Sequence, residues 1–260
     1  MPNALTDEQL DLLIPIQTYE ELDSTNLEAR RDVESGELGD QARLYVAKRQ
    51  TRGLGRFRRS WASPEGGLWC TLAWPVNLEP RLVLEGLGLR VGVAVVHTVE
   101  HTLAAHGVGA PVQLKWPNDV MVKGRKIAGC LIEVIERQGK THILAGVGIN
   151  LNVPRSALPP ELQKSAATVL ELTGRPSPVQ RTLRDLRRRL HEALTTEGLD
   201  RKTLVEARER LFGVGQSATI ALPDGSQRTG VLLGLDDRGC PQLRTSEGVF
   251  TAPVGAALLV

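Results

Sequence analysis

Four short segments carry residue types suited to holding an anion beside a neutral polar ligand. Residues 50–61 join Gln50, Gly53, Leu54 and Gly55 to Arg52, Arg56, Arg58, Arg59 and Trp61. The glycines can take positive φ and bring main-chain N–H groups close to a ligand, while the arginines offset its charge. Without a ligand such a loop repels itself, so it reads as a lid that an anionic substrate orders; the plainer reading is a basic surface turn. Lys115-Trp116-Pro117-Asn118-Asp119 sets a cation and an acid at adjoining strand ends. Turn chemistry explains Pro117 and Asn118 but not Lys115 and Asp119. A lysine beside a carboxylate suits a magnesium-bound nucleotide, with a point charge for phosphate and an oxygen for the metal. Lys126-Ile127-Ala128-Gly129 adds a second lysine followed by small residues. Gly146-Val147-Gly148-Ile149-Asn150 again leaves room against a strand and ends on an amide that can donate and accept. Taken singly, each segment is equally well explained by sheet packing.

The elements that must position these segments follow from pattern. Ser24 or Thr25 caps a helix over 26–34, which Gly36 ends. Stretches 43–50 and 68–74 are rich in β-formers and flank the arginine loop, so the loop hangs from a sheet. Over 82–105, Leu87, Val91, Val95, Val99 and Leu103 form the apolar stripe of a long helix lying on that sheet. Runs 112–116, 119–122, 126–135 and 142–153 continue as a mostly antiparallel meander, followed by helices over 179–195 and 201–212. Near Gly213 the texture changes to short strands at 217–222, 228–235, 241–245 and 249–253, the pattern of a small barrel. The expectation is one large domain over 1–212 and a small one over 213–260.

Composition narrows the function. The chain of 260 residues with a formal charge of +2 lacks the concentrated basic surface of a nucleic-acid binder, and its positive charge is local. No apolar run is long enough to span a bilayer and the N-terminus does not read as a signal, so the cytoplasm is expected. Cys70, Cys130 and Cys240 are odd in number and set in apolar segments, which reads as free packed thiols. His97 and His101 have the spacing of a metal pair but no third ligand nearby, and surface or capping roles explain them better. The arginine-rich run 184–189, interleaved with leucines, reads as the solvated face of an amphipathic helix.

Ser24-Thr25-Asn26, the 50–61 loop, Lys115 to Asp119, Lys126 to Gly129 and Gly146 to Asn150 resemble, in this order, the motif set of the biotin protein ligases, and the C-terminal strands are similar to their small barrel. The resemblance covers roughly 18–260 and is specific because ordered motifs and accessory domain agree. It implies an α+β fold of the class II synthetase and biotin ligase kind: a central mixed, mostly antiparallel sheet with helices packed on it, then an SH3-like β-barrel. It also implies a two-step reaction, in which biotin and MgATP give biotinyl-5'-AMP and pyrophosphate, and a lysine of a biotin carboxyl carrier protein then takes the biotin. By the resemblance, Ser24, Thr25, Asn26 and Gln50 bind the ureido ring with main-chain help from Gly53, Leu54 and Gly55, and Gly129 lines the same pocket. Lys126 and Arg56 offset the charge of the biotin carboxylate against the α-phosphate, Lys115 holds phosphate and Asp119 lies near Mg²⁺. Trp61 covers adenine while Asn118 and Asn150 read its edge; the bland alternatives are helix capping for Ser24 and Thr25 and a core anchor for Trp61.

There are departures from the family pattern. Leu54 stands where the family loop usually has an arginine, and Arg58 where it has a glycine, so Arg52 or Arg58 is the candidate to replace the missing charge. Family members that also repress transcription carry a winged helix before Ser-Thr-Asn; the stretch before Ser24 is too short for one, and no DNA binding is expected. A homodimer is left open. The rival readings are a lipoate or octanoate ligase or transferase of the same fold, whose Arg-Arg-x-Ser-Gly-Gly-Gly-like loop is not found here, and a non-catalytic biotin sensor.

Overall fold

The structure, a computed structural model, describes residues 5–77, 79–253 and 255–259. Helix α1 (Asp7–Leu13) opens on a capping box in which Thr6 and Gln9 satisfy each other's backbone N–H groups. Strands β1 (Ile16–Leu22), β2 (Arg43–Gln50), β3 (Leu68–Val76), β4 (Val112–Lys115), β5 (Asp119–Val122), β6 (Arg125–Arg137) and β7 (Lys140–Ile149) form one sheet in the order β1-β2-β3-β7-β6-β5-β4. Only the β1–β2 pair is parallel, so the sheet is mixed and mostly antiparallel, as the sequence pattern predicts. β1 itself was not expected; its polar, half-exposed sequence is that of an edge strand covered on one side only.

Period-two alternation divides this sheet into two environments. Cys70, Leu72, Ala128, Cys130, Ile143, Ala145 and Val147 point into the main core beneath α4 (Leu87–Ala104). Tyr45, Ala73, Ile135 and Leu144 point the other way, against Ala29 and Val33 of α2 (Thr25–Ser35). On that second face, where further side chains would follow, stand Gly129, Gly146 and Gly148. They leave a hollow in the sheet that the N-terminus of α2 and the arginine loop border.

The expected stripe Leu87, Val91, Val95, Val99 and Leu103 is buried, but so are Val93, Val96 and Thr98, because α4 is sandwiched between the sheet and α6 (Val179–Thr195). The expected 82–105 helix is two helices: α3 (Pro80–Leu84) stops before Gly86, whose φ of 67° suits glycine and whose added Cβ would lie 2.6 Å from Leu199. Helix α5 (Val169–Thr173) was not foreseen, while α6 matches its predicted span and α7 (Arg201–Glu209) ends three residues early. Within α6 the arginine run is not all solvated. Arg187 is 2% exposed and ties Asp11 and the Ile14 carbonyl, fixing α1 to the body.

Strands β8 (Ser217–Ala221), β9 (Gln227–Leu235), β10 (Pro241–Thr245), β11 (Gly248–Thr251) and β12 (Ala257–Leu259) form a second, antiparallel sheet in the order β11-β10-β9-β8-β12. In place of the closed barrel the sequence suggested, this sheet is open among the described residues. Its buried Ala218, Ile220, Leu232 and Leu243 join the main core, and the Trp116 indole donates to the Gly239 carbonyl at 3.0 Å, so the second sheet is seated on the turn that carries Asp119.

Candidate active site

The hollow on the α2 face is a recess whose floor is Gly129, Gly146 and Gly148. It continues into a wider cleft between the first sheet and β8, β9 and β12. Gly55, Arg56, Trp61, Asn118 and Lys126 line both chambers, so they form the neck between them. Close approach explains the floor glycines. An added Cβ would lie 2.0 Å from Asn26 Oδ1 at Gly146, 2.7 Å from Trp61 Nε1 at Gly148 and 3.0 Å from Trp61 Cζ3 at Gly129.

The recess wall is a hydrogen-bonded chain. Thr25 N–H donates to Gln50 Oε1 at 2.8 Å, and Gln50 Nε2 donates to Ser63 Oγ at 2.7 Å. Thr71 Oγ lies 2.7 Å from Asn26 Oδ1 and 2.8 Å from Thr25 Oγ, and Asn26 Nδ2 donates to Glu133 at 2.9 Å. Ser24 occupies the cap position of α2 yet makes no side-chain capping bond, and it lines the recess. The capping explanation of Ser24 therefore fails as a hydrogen bond, although its backbone geometry is that of an N-cap. Thr25 does not line the recess; it holds Gln50 in place.

The arginine loop is folded back on itself by bridges between Gln50 and Ser63 and between Leu54 and Ser60. The expectation of positive φ at its glycines is corrected: Gly55 is extended at φ −121°, Gly53 is not left-handed, and the left-handed residue is Phe57 at φ 56°. Gly53 is required for space instead, since an added Cβ would lie 2.4 Å from the Trp61 carbonyl oxygen. The Trp61 ring lies over Gly129 and Gly148, edge-on to Trp69 with centroids 6.4 Å apart, and the Lys126 ammonium sits 4.7 Å from a Trp61 ring centroid. Its buried Nε1 has no hydrogen-bond partner among the described residues.

At the neck, Lys126 pairs with Asp119 at 2.6 Å. Arg56 reaches Asn118 Oδ1 at 3.4 Å and the Ala256 carbonyl at 3.1 Å, which joins the loop to the second sheet. Lys115 stands directly across the β4–β5 pair from Asp119. Burial lowers the pKa of both Arg56 and Lys115, with Asp119 opposing the shift. Arg56, Arg59, Lys115 and Lys126 thus face a single carboxylate in the large chamber. An excess of cations, of which Arg56 and Lys115 are partly desolvated, is stabilised by a polyanion entering there.

Of the expected site residues, Asn150 and Arg52 stand outside both chambers. Asn150 lines neither chamber; its side chain donates to the Ala167 carbonyl at 3.0 Å and braces the strand end. Arg52 is exposed and lines neither chamber, and the Arg58 side chain lies outside the described residues. Asn118 is in the site, but its amide donates to the Cys130 carbonyl at 2.8 Å, which holds the turn against β6. His97 and His101 reach separate acids, Glu206 and Asp185, and no cluster of three metal-type ligands exists among the described residues. Ser63, Thr71 and Glu133 were missed. For two of them a signal existed: Thr71 is the lone hydroxyl of an apolar strand, and Glu133 follows Gly129 by four residues, hence on the same face.

With this geometry in hand, residues 21–150 match the biotin/lipoate A/B protein ligase family. The chain belongs to that family. It is 33% identical over 215 residues to a bifunctional ligase/repressor BirA of Bacillus spizizenii, covering 79% of this chain. The match spans 62% of that relative's own length. It is 30% identical over 202 residues to a biotin--[acetyl-CoA-carboxylase] ligase of Mycobacterium tuberculosis, covering 75% of this chain and 71% of that one. Among solved structures, a biotin protein ligase from Aquifex aeolicus in complex with biotin and ATP aligns with a TM-score of 0.75 at 27% identity, covering 94% of this family member and 98% of the other chain.

Proposed function

We propose that this family member is a biotin protein ligase that attaches biotin to a lysine of a biotin carboxyl carrier protein at the expense of ATP. The observation that carries the reading is the two-chamber site: a polar recess joined, at a neck formed by Arg56 and Lys126, to a cation-lined cleft. Biotin enters the recess, where Ser24, Asn26 and Gln50 meet its ureido ring. Its carboxylate then reaches the neck. A carboxylate oxygen attacks the α-phosphorus of ATP, the bond from that phosphorus to the bridging oxygen breaks, and pyrophosphate leaves. Lys126 and Arg56 offset the repulsion between the two anions and stabilise the charge that develops. Lys115 and Arg59 take the phosphates. Magnesium fits as an ion arriving with the nucleotide, because Asp119 is one carboxylate and Mg²⁺ is commonly held by one or two carboxylates together with phosphates.

In the second step the carrier lysine amine attacks the acyl carbon of biotinyl-5'-AMP. A C–N bond forms, the C–O bond to AMP breaks, and the amine gives up a proton. Closure of the arginine loop keeps water from the anhydride. We assign catalysis to 1–212 and a supporting role on the ATP side to an SH3-like unit at 213–260, where the Ala256 carbonyl holds Arg56. A lipoyl or octanoyl tail would want an apolar recess, whereas this one presents Ser24, Asn26 and Gln50. The test is to incubate the protein with labelled biotin, MgATP and a carrier domain. Label on one carrier lysine with pyrophosphate release supports the reading; label from lipoate or octanoate instead, or biotin binding without pyrophosphate, refutes it.

A further inference from the structure

Asn26 can face the recess with either its carbonyl or its amino group, and the neighbouring side chains decide which. Glu133, on β6, splits its two carboxylate oxygens: Oε1 accepts from Arg30 at 2.7 Å and Oε2 accepts from Asn26 Nδ2 at 2.9 Å. A carboxylate only accepts, so the Asn26 atom facing it must be the amino group. The carbonyl Oδ1 is thereby turned toward Thr71 and the Gly146 floor of the recess. The hydrogen bond and ion pair with Glu133 raise the pKa of Arg30.

From this chain of one-way partners we infer that Glu133 is a positioning residue for biotin. It never touches the ligand; it fixes the Asn26 amide so that an acceptor, not a donor, meets an N–H of the cyclic urea. This rests on the ligase reading above. The consequence is sharp because Arg30 only donates. In Glu133→Gln, Arg30 keeps the Gln oxygen, so the Gln amino group turns toward Asn26 and forces that amide to invert. Thr71, whose hydroxyl can donate or accept, accommodates the inversion without an orphaned group. The protein should therefore fold while offering biotin a donor where it needs an acceptor.

The test compares wild type, E133Q, N26D and the double variant N26D/E133Q by calorimetric titration with biotin, by KM for biotin and for ATP, and by thermal melting. E133Q is expected to weaken biotin binding by about ten- to a hundredfold, the range for a mispaired buried polar group, with the ATP KM changed less than about twofold. N26D alone sets two carboxylates against each other and also weakens biotin. In the double variant the Gln amino group donates to Asp while an oxygen still faces the recess, so biotin affinity recovers most of the loss, a coupling that lost packing would not give. Unchanged biotin affinity in E133Q, or a double variant no better than E133Q, overturns the assignment. If E133Q alone fails to fold, the double variant decides in the same way, by binding or not binding biotin. Wild-type protein that ignores biotin overturns the ligase reading itself, whereas wild-type binding with an indifferent E133Q overturns only this inference.

Discussion

Gly146→Ala tests the floor of the recess. Its new Cβ would lie 2.0 Å from Asn26 Oδ1, about 1.4 Å short of the ordinary contact that begins near 3.4 Å. Neither neighbour yields readily. Gly146 is paired on both sides, with Thr71 of β3 and Leu131 of β6, and Asn26 is held by Thr71 and Glu133 at the first turn of α2. The cheapest response is to push Asn26 aside. That adds an overpacking cost of about 1–3 kcal/mol, which for a chain of this size lowers Tm by about 2–12 °C. Against a typical net stability of about 5–15 kcal/mol the protein stays folded. The displaced Asn26 amide also loses its recess contact, worth about 1–3 kcal/mol when a buried partner is left unpaired, so biotin affinity falls by about five- to 150-fold. ATP binding in the large chamber, which Gly146 does not line, should change little. Calorimetric titration with biotin and with a non-hydrolysable ATP analogue, beside a thermal melt, reads all three. Wild-type biotin affinity in G146A would refute the claim that Asn26 over the glycine floor is part of the biotin site.

Lys126→Ala removes the neck cation and leaves Asp119 without its partner, so pyrophosphate release with biotin and ATP should fall by about ten- to 150-fold; wild-type adenylation in that variant moves the role elsewhere. Arg56→Gly unfastens the loop from Asn118 and from the second sheet, and should let the adenylate escape and label bystander lysines; unchanged retention in a dilution assay counts against the lid. Burial pushes the thiols of Cys70 and Cys130 up to about 12 from an ordinary 9.0. A native pKa above the unfolded one gives stability that is present below the unfolded value and lost as pH rises, so a melt series should show these two thiols eroding stability between about pH 9 and 12. Replacing both with serine or alanine should flatten that part of the profile, and an unchanged slope would show that other groups set it. Thiol reagent at pH 8 should meet partly exposed Cys240 first; equal labelling of all three in native protein would contradict the burial of Cys70 and Cys130.

The sequence discloses whatever depends on local pattern. The α6 span, the strands around the arginine loop and the residues of the α4 stripe follow from periodicity and turn residues, because the physics that forms them is short-range. The ordered motifs likewise point to Gln50, Arg56, Trp61, Lys115, Asp119 and Lys126, which line the two adjoining chambers. What stayed hidden depends on pairing across long separations. Asn26 meets Glu133, 107 residues away, only because β6 and α2 lie on the same sheet face. Gly53 looked like a positive-φ position but is a spacer, since what it approaches, the Trp61 carbonyl, comes from the return limb of the loop. Asn150 looked like a ligand-reading amide, yet its hydrogen bond goes to the Ala167 carbonyl, which lies 17 residues on and is set beside it only by the fold. The second sheet was legible as strands, but its link to the arginine loop, the Ala256 carbonyl accepting from Arg56, was not.

In the proposed reaction the biotin carboxylate and the ATP α-phosphate meet at the neck between Arg56 and Lys126. A crystal structure of the protein with biotin and a non-hydrolysable ATP analogue measures it directly. We expect Arg56 and Lys126 Nζ within hydrogen-bonding distance of both anions, the ureido ring over Gly146 and Gly148, and the triphosphate beside Lys115. Both ligands bound with Arg56 and Lys126 turned away from them would contradict the account.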